Sequence, residues 1–559
     1  SGGWSGVIWH LLVPVLALLG FFLLGPVPYV WSLGSRLLDV PAGVGGLWTL
    51  SWLEHAITQP GLSLWSPPVL HPLDNALALG QPLLGCLPFY LPASAISGNP
   101  TLSLNLTFLA GMVLSAYLIF LLVRRLSGNP WAGLAAGLLF VFNPLHWSPA
   151  PQGALPGCFF WAPLALIALE RARPGRWWWL WGAALPVWVL TYTVPVMGVG
   201  VALLAAALLV GCLLLHERAW LRDRRLWGHL AGILAASGLV MFPLISRMGA
   251  LGGAALLERA RQPGTMALLT PPGEPLARAH GWIHDLVGGW EGGIFPGVTL
   301  IILLLLAVAS LWAGQGRMRL VIKRCLQATL FCAVGALFAP GALGMVLLLM
   351  LSICAGLALA WVAPRVSGSP LPGRLALAAA LLAAVNLDYW LVENPGLRLG
   401  PGTLPPEVYA YLERSPRKGP VLELPVSPGR LVFQPLHWRP ELAGPTWWRV
   451  ETMDKLLQKT RSCPEETCRR FLRESGATVV VHSDRLTPGG KQSWMEADLS
   501  ASGYELMGQV GDAMVWERPR ETSSPPATAP ADMPPPLPDD AAEHGFEKSE
   551  LKAMDAPPE

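Results

Sequence analysis

The sequence predicts a mainly α-helical, polytopic membrane protein that ends in a small α/β extramembrane domain. Three observations predict it. Apolar stretches long enough to cross a bilayer recur through roughly the first 390 residues, the composition is 53% hydrophobic with only 13% charged residues, and the pattern after residue 391 changes to short strands and helices. A spanning helix needs about 20 mostly apolar residues to bridge a hydrocarbon core of about 30 Å. Segments such as Gly297–Ala313 and Ala342–Ala363 come close to or reach that length, and this composition excludes a soluble globule.

Taken in order, spans are expected near 7–25, 103–123, 131–147, 158–171, 177–193, 195–215, 227–246, 297–314, 325–341, 342–363 and 374–391, about eleven in all. The first is read as a retained span, because no small-residue cleavage signal precedes the next segment. Alternate connections differ sharply in basic residues. One set holds Arg124/Arg125, Arg171/Arg173/Arg176, Arg218/Arg222/Arg224/Arg225, Arg317/Arg319/Lys323/Arg324, Arg365 and Arg374. Short cytoplasmic loops retain Lys and Arg, so this set is expected inside. Two long loops, 26–102 and 248–296, and the C-terminal domain then lie outside the cytoplasmic membrane, the inner membrane of a cell with two. The domain plan is 1–391 in the membrane, 392–520 as the extracytoplasmic α/β domain, and 521–559 as a tail.

Within the first long loop, Val44–Ile57 places Leu47, Leu50, Trp52, Leu53 and Ile57 near one helical face, which reads as an interfacial amphipathic helix. Leu83–Ile96 is apolar but short and carries two prolines, so it reads as re-entrant or interfacial. The 26 tryptophans, among them Trp177–Trp179 and Trp181 beside Arg176, suit headgroup anchoring. Cys86, Cys158, Cys212, Cys325, Cys332 and Cys354 lie in or beside apolar spans and read as small packing residues. Cys463 and Cys468 flank Pro-Glu-Glu-Thr, and an oxidising compartment permits a local disulfide there.

In the C-terminal domain, helices are expected at 405–412, 464–474 and 493–499, and strands at 420–426, 477–482 and 513–517. From Glu521 the chain turns to Pro, Ala and acids with almost no large apolar residues, the composition of a disordered tail and a candidate contact for a protein partner. No Walker loop, no G-x-S-x-G element and no nucleic-acid-binding signature is present.

One passage resembles a known family. His71–Asn75 (HPLDN), Leu83–Gly85, Gly98–Pro100 (GNP) and Leu104–Leu106 precede Tyr117–Arg125 (YLIFLLVRR), Gly128 and Ala135–Pro144 (AAGLLFVFNP). Their order and spacing resemble the N-terminal region of bacterial polytopic proteins with the GT-C glycosyltransferase architecture. Those proteins also carry a W-x-L-x-W-x-x-H segment, present here as Trp48–His55. Val421–Pro425 (VLELP), Gln434–Pro440 (QPLHWRP) and Gly476–Asp484 (GATVVVHSD) resemble the terminal soluble domain of that architecture.

The resemblance implies a sugar donor on a polyprenyl phosphate and transfer on the outer face of the membrane. Such chemistry needs a carboxylate near the acceptor and positive or hydrogen-bonding groups for the leaving phosphate. The family commonly places an Asp about six residues before the first Trp of its W-x-L-x-W segment, where this chain has Ala42; Asp39 stands three residues earlier. An acid often found after the HP-x-x-N motif is matched by Gln81, and Glu291 resembles an acid before the next span.

The candidate acids are therefore Asp39, Glu54 and Glu291. Glu54 and His55 act as base and orienter, or form a polar face at the headgroup boundary. His71, Asp74 and Asn75 line a sugar or phosphate pocket, or make a turn with Pro72, the turn being preferred for Asp74 and the site for His71. Arg259, Arg261 and Arg278 are candidates for the lipid phosphate or belong to a solvated loop. His437, Trp438 and Arg439 help select an acceptor or pack in the core. His280, His284, Asp285 and Glu291 lie close in sequence, so a divalent metal is conceivable, but the spacing is that of an ordinary polar loop and no metal ligand is assigned. Three functions follow: a glycosyltransferase using a lipid-linked sugar, a catalytically inactive GT-C-fold scaffold or complex subunit, and a lipid-linked glycan transporter. The transporter ranks last, because acids inside the spans are scarce and no paired repeat is evident.

Overall fold

Hydropathy places helix boundaries where the chain turns polar or meets Asn, Gly or Pro, and the computed structural model of the chain follows that punctuation. It describes residues 3–23, 33–34, 40–143, 159–250, 298–313, 316–338, 340–366, 407–424, 433–443, 466–483, 498–511 and 513–519. The chain divides into two compact units, one of Ser1–Glu54 with Leu77–Gly402 and one of His55–Ala76 with Thr403–Glu559. Sequence reading placed the whole 26–102 loop with the membrane domain; residues 55–76 instead group with the C-terminal part of the chain.

The first unit is helical. Its main helices are α1 (Gly3–Leu23), α2 (Val40–Thr58, which runs past the unit's last residue here, Glu54), α3 (Leu87–Ser97), α4 (Pro100–Ser127), α5 (Pro130–Val141), α6 (Trp161–Arg171), α7 (Trp179–Thr191), α8 (Pro195–Gly211), α9 (Arg224–Ala250), α10 (Val298–Ala313), α11 (Gly316–Phe338) and α12 (Pro340–Val366). Ten of the expected spans coincide with helices; the eleventh, 374–391, lies outside the described residues. Among the described residues, four helices are long and apolar enough to cross a membrane: Pro100–Ser127, Pro195–Leu214, Arg224–Gly249 and Met345–Val362.

Asn-Pro pairs start two of these helices. Asn99 and Asn129 adopt extended backbone and cap α4 and α5, accepting N–H bonds from Leu102 and from Trp131 and Ala132, while each following proline occupies a first-turn position that needs no N–H donor. Gly128 ends α4 in a left-handed conformation at φ 73°, a geometry glycine adopts without steric cost.

Small residues then let α5 sit against two helices at once. A Cβ on Gly133 or Gly137 would run into the α4 backbone at Phe120 and Ala116, and one on Gly356 of α12 would meet Ala132 and Ala136 of α5. This is the small-xxx-small packing that substitutes for a hydrophobic driving force between helices in lipid. A row of aromatic donors ties α7 to α9 and the turn before it. Trp177 Nε1 donates to Asp223 at 2.6 Å, Trp181 Nε1 to His229 at 3.1 Å, Trp188 Nε1 to Ser237 at 2.9 Å and Tyr192 Oη to the Val240 carbonyl at 2.6 Å. Headgroup anchoring therefore accounts for only part of the tryptophans: Trp178 is exposed, but Trp177 is buried and hydrogen-bonded.

Helix α2 also departs from expectation. Residues 43–53 are buried around the whole circumference, so the helix is enclosed by protein instead of presenting one apolar face to a bilayer surface. The polar residues of the same stretch, Thr49 and Ser51, are buried along with the apolar ones.

The second unit carries a four-stranded sheet in the order β1-β2-β4-β3, from β1 (Val421–Leu424), β2 (Val479–Ser483), β3 (Glu505–Val510) and β4 (Ala513–Glu517). β1 and β2 are parallel, with α14 (Glu466–Glu474) between them in sequence, while β4 is antiparallel to both β2 and β3. Helix α13 (Glu407–Arg414) covers the sheet through Val408, Tyr409 and Leu412 against Val421, Val479, Val481 and Val515. β3 was missed in the sequence because its residues are mostly exposed and Gly508 interrupts it at a register shift.

Beyond β1 the sheet edge is extended by irregular chain. Glu441 bridges Val421 in parallel, the Glu441 N–H donates to the Pro68 carbonyl at 2.9 Å, and the His71 N–H returns to the Glu441 carbonyl at 2.9 Å. Gln434, fully buried, adds a bond from Nε2 to Pro68 O at 2.8 Å. The first-loop segment is thus hydrogen-bonded into the same unit as the sheet, while at the edge of β1 the Val421 N–H donates to Pro440 O and the Val421 carbonyl accepts from Leu442 N–H.

Candidate functional site

Of the sequence-derived acids, Glu54 is the one whose surroundings are described. It sits near the end of α2, half-buried, and Ser94 of α3 donates its hydroxyl to the carboxylate at 2.7 Å and 2.9 Å to the two oxygens. One turn back, Ser51 Oγ lies 3.3 Å from the Tyr90 hydroxyl, and Tyr90 is fully buried. Burial pushes the Tyr90 phenol pKa up, opposed by the Ser51 hydrogen bond and reinforced by the negative charge of Glu54. Tyr90 therefore stays a neutral hydroxyl beside a carboxylate that Ser94 holds in place. A carboxylate oriented by a hydroxyl has the capacity to accept a proton from an incoming alcohol.

Gln81 follows the short helix Ala76–Leu79 and is half-buried. The strand of chain after it is strapped to the α7–α8 junction: Leu83 N–H donates to Thr193 O at 3.0 Å, Gly85 N–H to Thr193 Oγ1 at 2.9 Å, and Trp161 Nε1 to Gly85 O at 3.3 Å. A Cβ at Gly85 would collide with Thr193, Trp161 and Val189, so the close approach requires glycine. Cys86, expected to be a packing residue, is disulfide-bonded. Cys212, Cys325, Cys332 and Cys354 are free. Cys468 is disulfide-bonded, and its candidate partner Cys463 lies outside the described residues.

In the second unit, His55 and Trp438 stack with ring centroids 4.6 Å apart and planes 16° from parallel. Trp438 holds φ at 44°, a left-handed backbone that a bulky residue rarely adopts without local cost. Burial lowers the His55 imidazole below its ordinary value. Next to Trp438, His437 accepts the Arg439 backbone N–H at Nδ1, 3.1 Å away, and its Nε2 lies 3.7 Å from Glu441 Oε1. Burial, then the charges of Arg439 and Lys418, push His437 down to about 4. Arg439 is buried and donates to the carbonyls of Arg417 and Gly419, so it holds the chain between α13 and β1.

His71 and Asp74 are exposed and Asn75 is half-buried; the stretch 71–75 forms turns, in which Asn75 N–H donates to Ser66 Oγ at 3.2 Å and Asn75 itself takes φ 58°. Glu54 and Gln81 belong to the first unit, and His55, His71, Asp74, Asn75 and Trp438 to the second. Asp39, Glu291, Arg259, Arg261 and Arg278 lie outside the described residues, as do His280, His284 and Asp285. Among the described residues no group of three or more His, Cys, Asp or Glu is placed to hold a metal ion. Sequence reading missed Ser94 and Tyr90, whose roles arise from the packing of α3 on its surroundings and leave no mark in spacing.

No family model matches the chain, and no curated protein matches it in sequence. Among solved structures it is similar to the crystal structure of ArnT from Cupriavidus metallidurans bound to undecaprenyl phosphate, with a TM-score of 0.50 and 13% identity, over 93% of this chain and 99% of that one. At that identity the likeness concerns the fold. The chain shares the overall fold of that protein, and among the described residues four of its helices are long and apolar enough to cross a membrane.

Proposed function

We propose that this protein transfers a sugar from a polyprenyl-phosphate donor to an acceptor hydroxyl on the outer face of the bacterial inner membrane. The observation that carries this reading is the fold likeness along 93% of the chain to a protein solved with undecaprenyl phosphate. Glu54 is the proposed base. The acceptor oxygen attacks the anomeric carbon, the carbon–oxygen bond to phosphate breaks, the acceptor proton passes to Glu54, and polyprenyl phosphate leaves. Asp39 and Glu291 are the alternative acids, and Arg259, Arg261 and Arg278 the proposed partners of the leaving phosphate. In this reading the chain crosses the membrane eleven times and the sheet-bearing unit is extracytoplasmic.

A second reading has one specific observation behind it. Ala42 and Gln81 stand where related proteins carry acids, and neither side chain can take a proton. A scaffold or complex subunit that kept the fold would tolerate both replacements. Purified protein in lipid, given a panel of radiolabelled polyprenyl-phosphate sugars, separates the two. Turnover that is lost in Glu54→Ala and kept in Asp39→Ala and Glu291→Ala is the expected result. Absence of turnover across the panel by folded protein favours the scaffold.

A further inference from the structure

Helices α1 and α4 share a polar niche that the proposed transfer chemistry does not use. His10 lies in the second turn of α1, and Tyr117 and Arg124 lie two turns apart on one face near the end of α4. His10 Nδ1 is 2.8 Å from Tyr117 Oη, and Arg124 Nη1 is 3.4 Å from His10 Nε2. A guanidinium only donates, so Nε2 is the acceptor and the ring proton sits on Nδ1, directed at the tyrosine oxygen. That leaves the Tyr117 O–H and the remaining Arg124 N–H groups as outward donors. Among the described residues the niche offers donors and a positive charge and contains no carboxylate.

Its surroundings sharpen the contrast. Arg125, the neighbour on α4, is neutralised by Glu170, which also binds Arg173 at 3.1 Å. Arg124 has no carboxylate partner among the described residues; its guanidinium lies over the Phe120 ring, 5.7 Å from the centroid. Trp9 and Trp131 meet edge-on at 4.8 Å close by in sequence, side chains suited to headgroup depth. From the niche an exposed apolar stripe runs along α1 through Leu11, Val15 and Leu19, at 63%, 48% and 46% exposure. A donor-only pocket at a basic helix end, continued by an apolar track into the bilayer, matches the two halves of an anionic phospholipid.

We propose that His10, Tyr117 and Arg124 form a binding site for the phosphodiester headgroup of an anionic phospholipid, with an acyl chain lying along Leu11, Val15 and Leu19 of α1. Arg124 supplies the charge, Tyr117 a hydrogen bond, and His10 holds both side chains in position. The site is separate from the proposed transfer centre and does not depend on that function.

Native mass spectrometry of the detergent-purified full chain tests it, with phosphatidylglycerol and phosphatidylcholine as probes. Phosphatidylglycerol is expected to bind the wild type about tenfold more tightly than phosphatidylcholine, the size of one charge-assisted hydrogen bond. Arg124→Gln should erase that preference, Tyr117→Phe should reduce it, and Arg125→Gln, whose charge is already paired, should leave it intact. Tyr117→Phe removes one hydroxyl while keeping the ring against Phe120, so it reports even where Arg124→Gln fails to fold. Equal retention of both lipids by the wild type, an unchanged preference in Tyr117→Phe, or an equal loss in Arg125→Gln would overturn the site. Displacement of phosphatidylglycerol by millimolar inorganic phosphate would reassign it to free phosphate.

Discussion

In the first unit every buried polar side chain among the described residues is a serine, threonine or asparagine; in the second, five of eight are ionisable: Glu423, Arg439, Glu441, Asp498 and Glu517. The difference follows from what each environment can satisfy. Thr107, Ser115, Thr329 and Ser352 return their hydroxyl protons to carbonyls one turn back in their own helices, so these four donors need no partner on another helix. In the second unit, buried charges are matched across the chain: Arg417 Nε with Glu517 at 2.9 Å, Arg469 with Asp498, and Tyr409 Oη with Glu423 at 3.1 Å. The buried interior of the first unit is therefore expected to respond to changes of volume more than of pH, and that of the second to respond to pH as well.

That contrast can be broken by substitution. Arg439→Met strands the Arg417 and Gly419 carbonyls and removes a buried charge, so it should destabilise the second unit by about 3–5 kcal/mol. Hydrogen exchange at β1 and β2 would show the loss, with the amides of α4 and α5 unchanged. Gly137→Leu forces a side chain into the α4 backbone at Ala116 and should cost about 3 kcal/mol, the upper end for overpacking. The melting of the detergent-solubilised chain measures it, and the shift should not vary with pH.

His437 supplies the pH test. Its folded value of about 4 lies below the ordinary 6.5, so the stability its neutral ring contributes is complete above about 6.5 and is lost as pH falls toward 4. The loss should be on the order of 2 kcal/mol, read as acid-induced exchange in the second unit, and His437→Leu should flatten that part of the profile. The smallest effect is expected for Thr193→Val, which removes the acceptor for Gly85 N–H and should cost about 1 kcal/mol, seen as faster exchange at residues 83–86.

The two units also differ in how much of them was legible. Hydropathy located ten helices where spans were expected, because lipid-compatible helices must be continuously apolar, but it set the starts of α4 and α5 at 103 and 131, past the Asn-Pro pairs that begin them at Pro100 and Pro130. In the second unit β-branched runs revealed β1, β2 and β4, but β3, exposed and broken by Gly508, gave no such signal. The grouping of residues 55–76 with the C-terminal sheet was invisible, since it rests on backbone bonds between Pro68, His71 and Glu441 that are 370 or more positions apart. The same holds for the site. Glu54 and His55 stood out as polar residues on an apolar helix, whereas Ser94, Tyr90 and the Trp438 stack are contacts made by folding. Cys86 was misread because a cysteine beside apolar chain looks alike whether it packs or pairs.

The most direct test of the account is the rate of sugar transfer from polyprenyl-phosphate donors by Glu54→Gln, which keeps the side chain's shape and its contact with Ser94 but cannot accept a proton. The account predicts a fall of about 10²–10⁴-fold, with folding and binding of undecaprenyl phosphate retained. Transfer at the wild-type rate would contradict the role of Glu54, and the absence of any transfer by folded wild-type protein would contradict the enzyme itself.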